Sequence, residues 1–128
     1  MTAVLAPQAP RSVLAVSSSR MPHPVLVMSV AGTLDAETRP AFVDYVAETL
    51  RARRSTRALI LDLTDLAHLS GTGARTIHQA RRSLERHGVR VAIVAESGST
   101  IKEAVGTGRV YDTRRAAIAD QRSTRPAS

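Results

Sequence analysis

The stretch that decides the fold is ALILDLTDLAHLSGTGARTI, residues 58–77. Ala58 to Leu63 (ALILDL) is apolar on both faces until Asp62, the pattern of a strand buried in a parallel sheet. Gly73, Ile77, Ala80 and Leu84 then recur on one side of a helix. Between strand and helix lies LAHLSGTGART, with two glycines, a serine and two threonines. Small hydroxyl and glycine residues at a helix start suit an N-cap, an anion site or a phosphorylation site.

Outward from this unit, strand and helix patterns alternate. Ser12 to Ser17 and Val25 to Ala31 are strands, separated by a turn at Ser18 to Pro24 and able to pair as a hairpin. Gly32 to Asp35 is expected to end the sheet, with Asp35 or Thr38 capping the next helix and Pro40 in its first turn. Phe42, Val43, Val46, Ala47 and Leu50 form its apolar stripe. After Gly88 come a strand at Val89 to Ala95, a short helix at Ser99 to Val105 closed by Gly106 and Gly108, a strand at Val110-Tyr111, and a last helix to about Ala119. The order β-β-α-β-α-β-α-β-α requires crossovers, and so helices on a mixed or mostly parallel sheet. The expected fold class is α/β: one domain over residues 12–120, four to five strands and about four helices. Residues 1–11 (Ala- and Pro-rich) and 121–128 (QRSTRPAS) are read as flexible tails.

Composition excludes several functions. With no cysteine, disulfides, thiolate metal sites and a cysteine nucleophile are ruled out. Phe42, Tyr45 and Tyr111 are the only aromatics, too few for a base-stacking platform. No apolar run approaches the ~20 residues of a membrane span. The start lacks the charged-then-apolar order of a signal peptide, so a cytoplasmic location is expected. The net charge is +7, and Lys102 is the one lysine among 18 basic residues. These charges are scattered and accompany no nucleic-acid motif, so a nucleic-acid partner is a minor reading.

Catalytic constellations are missing. His23, His68, His78 and His87 have neither metal-ligand spacing nor a carboxylate cluster, so no metal or cofactor is expected. Ser70-Gly-Thr-Gly is not a nucleophile elbow, and no lysine completes a P-loop. The chain reads as a non-enzyme. Asp62 and Asp65 are expected to cap turns, with the Asp62 carboxylate pointing out of the sheet edge.

Taken in order, four segments resemble the STAS domain, the family of bacterial anti-sigma factor antagonists that is also found attached to sulfate transporters. VLVMSVAGTLDAET resembles its strand ending in Gly-x-Leu-Asp. ALILDLTDLAHLSGTGARTI resembles its central strand and signature loop. LERHGVRVAIV and IKEAVGTGRVYDT resemble the elements that follow. The likeness covers about 95 residues, from Val25 to Ala119.

The resemblance implies a regulatory protein-binding domain that sequesters an anti-sigma factor of the serine-kinase type and releases a sigma factor. In the family the signature loop reads Asp-Ser-Ser-Gly or Asp-Ser-Thr-Gly, and its first hydroxyl residue is phosphorylated. Aligned on Gly73, the Asp position here holds Ser70, the phosphorylated position holds Gly71, and the second hydroxyl remains as Thr72. A phosphate adds about −1.5 to −2 charges, and Gly71 has no oxygen to receive it. The usual covalent switch is therefore expected to be missing. The implied partner surface comprises Leu34 and Asp35, the Ser70–Gly73 loop, and Arg75, His78 and Arg82 facing an acidic partner. The alternative is a STAS scaffold that holds a nucleotide or other anion at the Ser70–Gly73 helix start.

Overall fold

The computed structural model of the chain describes residues 13–20, 25–106 and 109–123. The elements in chain order are β1 (Leu14–Arg20), β2 (Val25–Leu34), α1 (Arg39–Ala52), β3 (Ala58–Asp62), β4 (Leu66–Leu69), α2 (Gly71–Arg86), β5 (Arg90–Val94), α3 (Thr100–Val105), β6 (Val110–Tyr111) and α4 (Arg114–Ser123). The sheet runs β1-β2-β3-β5-β6, and β4 pairs with the far end of β2 off that path. β1 is antiparallel to β2, whereas β2–β3, β3–β5, β5–β6 and β2–β4 are parallel. The sheet is thus mixed and the fold α/β, as the alternating pattern requires.

β3 reads ALILD, and all five residues are buried. Its two faces feed separate cores. Leu59 and Leu61 join Leu26, Met28, Val30, Phe42, Val46, Ile77, Val91, Ile93 and Val105 beneath α1, α2 and α3. Ile60 faces the other way, with Val27, Ala92, Val94 and Ala117, beneath α4. The sheet is therefore covered on both sides, which explains why its central strand carries no polar alternation.

Several boundaries differ from the sequence expectation. β2 does not stop at Ala31 but continues to Leu34. Gly32 makes this possible: it sits at φ +100°, and a Cβ there would stand 2.2 Å from the Val13 carbonyl oxygen. The β2–β4 register shifts between Gly32 and Thr33, so a bulge carries the strand past its partner. β1 extends to Arg20, into the segment expected to turn; the remainder of that turn, residues 21–24, lies outside the described residues. The α1 stripe is narrower than its spacing suggests, because Val43 is exposed and only Phe42 and Val46 are buried within the helix. α4 runs to Ser123 and buries Gln121, so residues 121–123 belong to the helix rather than to a tail. Residues 1–11, 108 and 124–128 lie outside the described residues.

Candidate functional site

β4 and the start of α2 come to rest against the end of β2. The pairing sets Thr33 opposite His68 and Leu34 opposite Leu69. Ser70 N–H then donates to the Leu34 carbonyl at 3.1 Å. The chain turns into α2 at once, and Ser70 is its N-cap, with Oγ accepting from Gly73 N–H at 3.0 Å. Serine caps a helix about as well as aspartate does, so Ser70 closes the helix end.

Gly73 is buried, and its lack of a side chain is structural. A Cβ there would lie 2.3 Å from the Leu34 carbonyl oxygen and 2.8 Å from Leu69 Cδ1. Gly71 is the reverse case. It is exposed, and a Cβ there meets nothing within 4 Å. Between them, Thr72 is half-buried, and Arg75 donates to its hydroxyl at 3.4 Å. The first turn of α2 holds no acidic side chain. Its positive helix end and Arg75 together make this corner attractive to negative charge.

The adjoining loop is built by Asp35. Its Oδ1 accepts from the N–H groups of Glu37 and Thr38 at 3.0 and 3.1 Å, fixing the turn that precedes α1. Thr38 is the residue before the helix but makes no side-chain cap bond into it. Its hydroxyl instead donates to the Thr33 carbonyl at 2.9 Å, tying the turn back to β2. Capping by a local carboxylate was legible; its direction, into the turn rather than into α1, was not.

The sequence-derived residues thus divide. Ser70, Gly71, Thr72, Gly73, Leu34 and Asp35 gather at one end of the sheet. Leu34 is wholly buried, so its side chain is core and only its carbonyl contributes to the loop. Arg75 and Arg82 lie exposed along α2, two turns apart or about 10 Å. His78 is half-buried and turned toward the end of α3, where a Cβ on Gly106 would lie 3.7 Å from its Cε1.

Asp62 departs from expectation. Its carboxylate does not point out of the sheet edge but is buried under α4. Oδ1 accepts from Thr64 N–H at 3.0 Å and Thr64 Oγ1 at 2.8 Å. Oδ2 accepts from Arg114 Nε at 3.0 Å and a terminal nitrogen at 2.8 Å, and Arg114 also donates to Ser29 Oγ at 2.9 Å. Burial pushes this carboxyl up, but the Thr64 and Arg114 hydrogen bonds outweigh it and hold the pKa below the usual 3.8. The Asp-x-Thr turn was readable in sequence. The arginine was not, because it lies 52 positions away.

Among the described residues, no group of three His, Cys, Asp or Glu side chains can hold a metal ion, and no helix is long and apolar enough to cross a membrane.

The model of the STAS domain family matches residues 18–111. Solved structures share the fold. An anti-sigma factor antagonist from Mycobacterium paratuberculosis superposes with a TM-score of 0.72 at 22% identity, over 86% of this chain and 95% of that one. The anti-sigma factor antagonist SpoIIAA in its unphosphorylated form gives 0.68 at 16% identity, over 85% of this chain and 97% of that one. The murine anion transporter Slc26a9 gives 0.69 at 15% identity, over 82% of this chain but 19% of the transporter. No curated protein matches the chain in sequence.

Proposed function

The chain belongs to the STAS domain family, and from that premise we propose that it is a non-enzymatic regulatory module of the anti-sigma factor antagonist kind. It would bind an anti-sigma factor of the serine-kinase type and, by occupying it, release the sigma factor that the kinase holds. The observation that carries this reading is the packing of Gly73 on the Leu34 carbonyl. It locks the β2 end and the α2 start into one surface, from which Gly71, Arg75 and Arg82 face outward. A cationic helix start without an acidic side chain suits an acidic partner surface.

The proposed module lacks its relatives' covalent switch. Gly71 offers no oxygen. The Ser70 hydroxyl already caps α2, and Thr72 is half-buried one residue further on. Calorimetry with cognate anti-sigma kinases tests both parts. The expected result is a complex that survives incubation with ATP, with no phosphate detected on the chain by mass spectrometry. Failure to bind any such kinase would sink the partner assignment. Phosphate on Ser70 or Thr72 would sink the loss of the switch.

A second reading rests on the same corner. The N–H groups of Gly71 and Thr72 lie at the helix start, where intrahelical acceptors are lacking, and Arg75 is one turn away. This arrangement suits a nucleotide or another small anion. Such a ligand would raise the melting temperature as its concentration passes Kd. Melting curves that do not move with nucleotides or phosphate would remove this reading.

A further inference from the structure

At the opposite end of the sheet the chain forms a cleft of about 470 Å³ lined by Arg54, Ser55, Thr56, Arg57, His87 and Gly88. It lies where β3 and β5 begin: Arg57 precedes β3, and its carbonyl accepts from Arg90 N–H at 2.9 Å. The ten residues of β2, which run from beside Ala58 to beside Leu69, therefore separate it from the Ser70–Gly73 corner by roughly 30 Å. We propose that this cleft is a binding site for a small phosphorylated ligand, held through its phosphoryl groups by Arg54 and Arg57.

The lining supplies hydrogen-bond donors and positive charge but no carboxylate. Among the described residues neither Arg54 nor Arg57 has an ion-pair partner, and both are exposed. Ser55 and Thr56 add two hydroxyls that have no hydrogen-bond partner among the described residues. His87 donates Nδ1–H to the Ser83 carbonyl at 2.8 Å, which leaves Nε2 unengaged.

Both α1 and α2 end here, and cations commonly satisfy helix C-termini. Several carbonyls of these last turns are served by backbone and by His87. Those of Thr49 and Leu50 accept from Arg53 N–H. Leu84 accepts from the N–H groups of His87 and Val89, Glu85 from that of Gly88, and Ser83 from the His87 ring. The guanidinium groups of Arg54 and Arg57 make no hydrogen bond to a helix-end carbonyl among the described residues. A planar guanidinium matches phosphate oxygens two at a time, and two of them beside two hydroxyls form a donor set suited to phosphoryl groups.

No phenylalanine, tyrosine or tryptophan lines the cleft, and the His87 ring is tied back to the Ser83 carbonyl, so a nucleobase gains little stacking. Selection is by phosphoryl charge. Inorganic pyrophosphate and a nucleoside diphosphate are then expected to bind with similar affinity and to compete.

The test is a titration of the full chain with inorganic pyrophosphate, followed by calorimetry and by amide NMR shifts. Shifts are expected at Ser55, Thr56 and Gly88, with those of Ser70 to Gly73 unmoved. The double variant Arg54→Gln/Arg57→Gln should bind about 10- to 100-fold more weakly, the loss expected for charge-assisted hydrogen bonds. The double variant Arg51→Gln/Arg86→Gln removes equal charge from nearby positions outside the lining and should bind like the parent chain. All four arginines are exposed, so neither variant threatens the fold. Equal weakening by both pairs would show diffuse charge attraction and overturn the proposal. So would shifts confined to Ser70–Gly73, no binding at millimolar pyrophosphate, or tight binding of a duplex oligonucleotide that pyrophosphate does not displace.

Discussion

Replacing Gly73 with alanine tests whether the β2 end and the α2 start are one rigid unit. The new Cβ would stand 2.3 Å from the Leu34 carbonyl oxygen and 2.8 Å from Leu69 Cδ1. The leucine side chain can rotate, but the carbonyl belongs to β2. Ordinary contact requires the helix start to retreat by roughly 1 Å. The Ser70 N–H to Leu34 O bond, now 3.1 Å, then stretches beyond a useful length. Losing it costs about 1 kcal/mol, and overpacking adds about 1–3 kcal/mol. Relief of glycine's chain entropy returns up to about 1 kcal/mol. The net loss is about 1–4 kcal/mol, a fall in Tm of roughly 4–16 °C for a domain of this size. Gly71→Ala is the matched control: it gains the same entropy, and its Cβ meets nothing within 4 Å. It should be neutral or stabilising by up to about 1 kcal/mol. Urea unfolding of both variants reads the difference directly. If Gly73→Ala is as stable as Gly71→Ala to within about 0.5 kcal/mol, the rigid-unit argument is wrong.

Three further outcomes follow from the same geometry. Ser70→Ala removes the Oγ that accepts from Gly73 N–H and should cost about 1 kcal/mol in urea unfolding; Ser70→Asp should restore most of it. Gly71→Ser should convert the chain into a phosphate acceptor for an anti-sigma kinase that binds it, read as a single added phosphate by mass spectrometry; an unmodified variant in a stable kinase complex would count against the proposed register. The Asp62 carboxyl has a folded pKa below its unfolded value near 3.8, so its contribution is fully present above that value and is lost as pH falls from about 4 toward the folded pKa. Asp62→Asn should therefore flatten the acid limb of the stability profile in that window. Near pH 7 it should cost about 1–2 kcal/mol, kept modest because Arg114 is half in solvent; an unchanged acid limb would show that the pairing is not coupled to folding.

The elements with long, unambiguous patterns were legible in sequence. Ala58–Leu63 could only be a strand buried on both faces, and Gly73, Ile77, Ala80 and Leu84 could only be one side of a helix. β4 was not legible, for a physical reason. Its four residues are buried, exposed, exposed and half-buried, so LAHL shows no alternation. It pairs with β2 only because Gly32 adopts φ +100° and shifts the register. Val43 misled because spacing locates a helix face but not how far the neighbouring layer reaches over it. Asp62 misled because a carboxylate at a strand end is ordinarily solvated, and the arginine that permits its burial comes from a helix late in the chain. The Arg54–Arg57–His87 cleft could not be read at all, since two helix ends and two strand starts bring those residues together.

The loop itself separates what packing dictates from what chemistry selects. Position 73 has no choice, because β2 occupies the space a side chain would need. Position 70 must carry an acceptor to close α2, and serine and aspartate serve alike. Position 71 is under neither demand. It is exposed, sits in ordinary helical backbone and has open space around it. A serine would fit there at no steric cost, and the first position of a helix tolerates it well. Packing therefore does not account for the absent hydroxyl. On the proposed reading a kinase acts on this loop, and a single Gly71→Ser substitution is then expected to change modification while leaving fold and stability as they are.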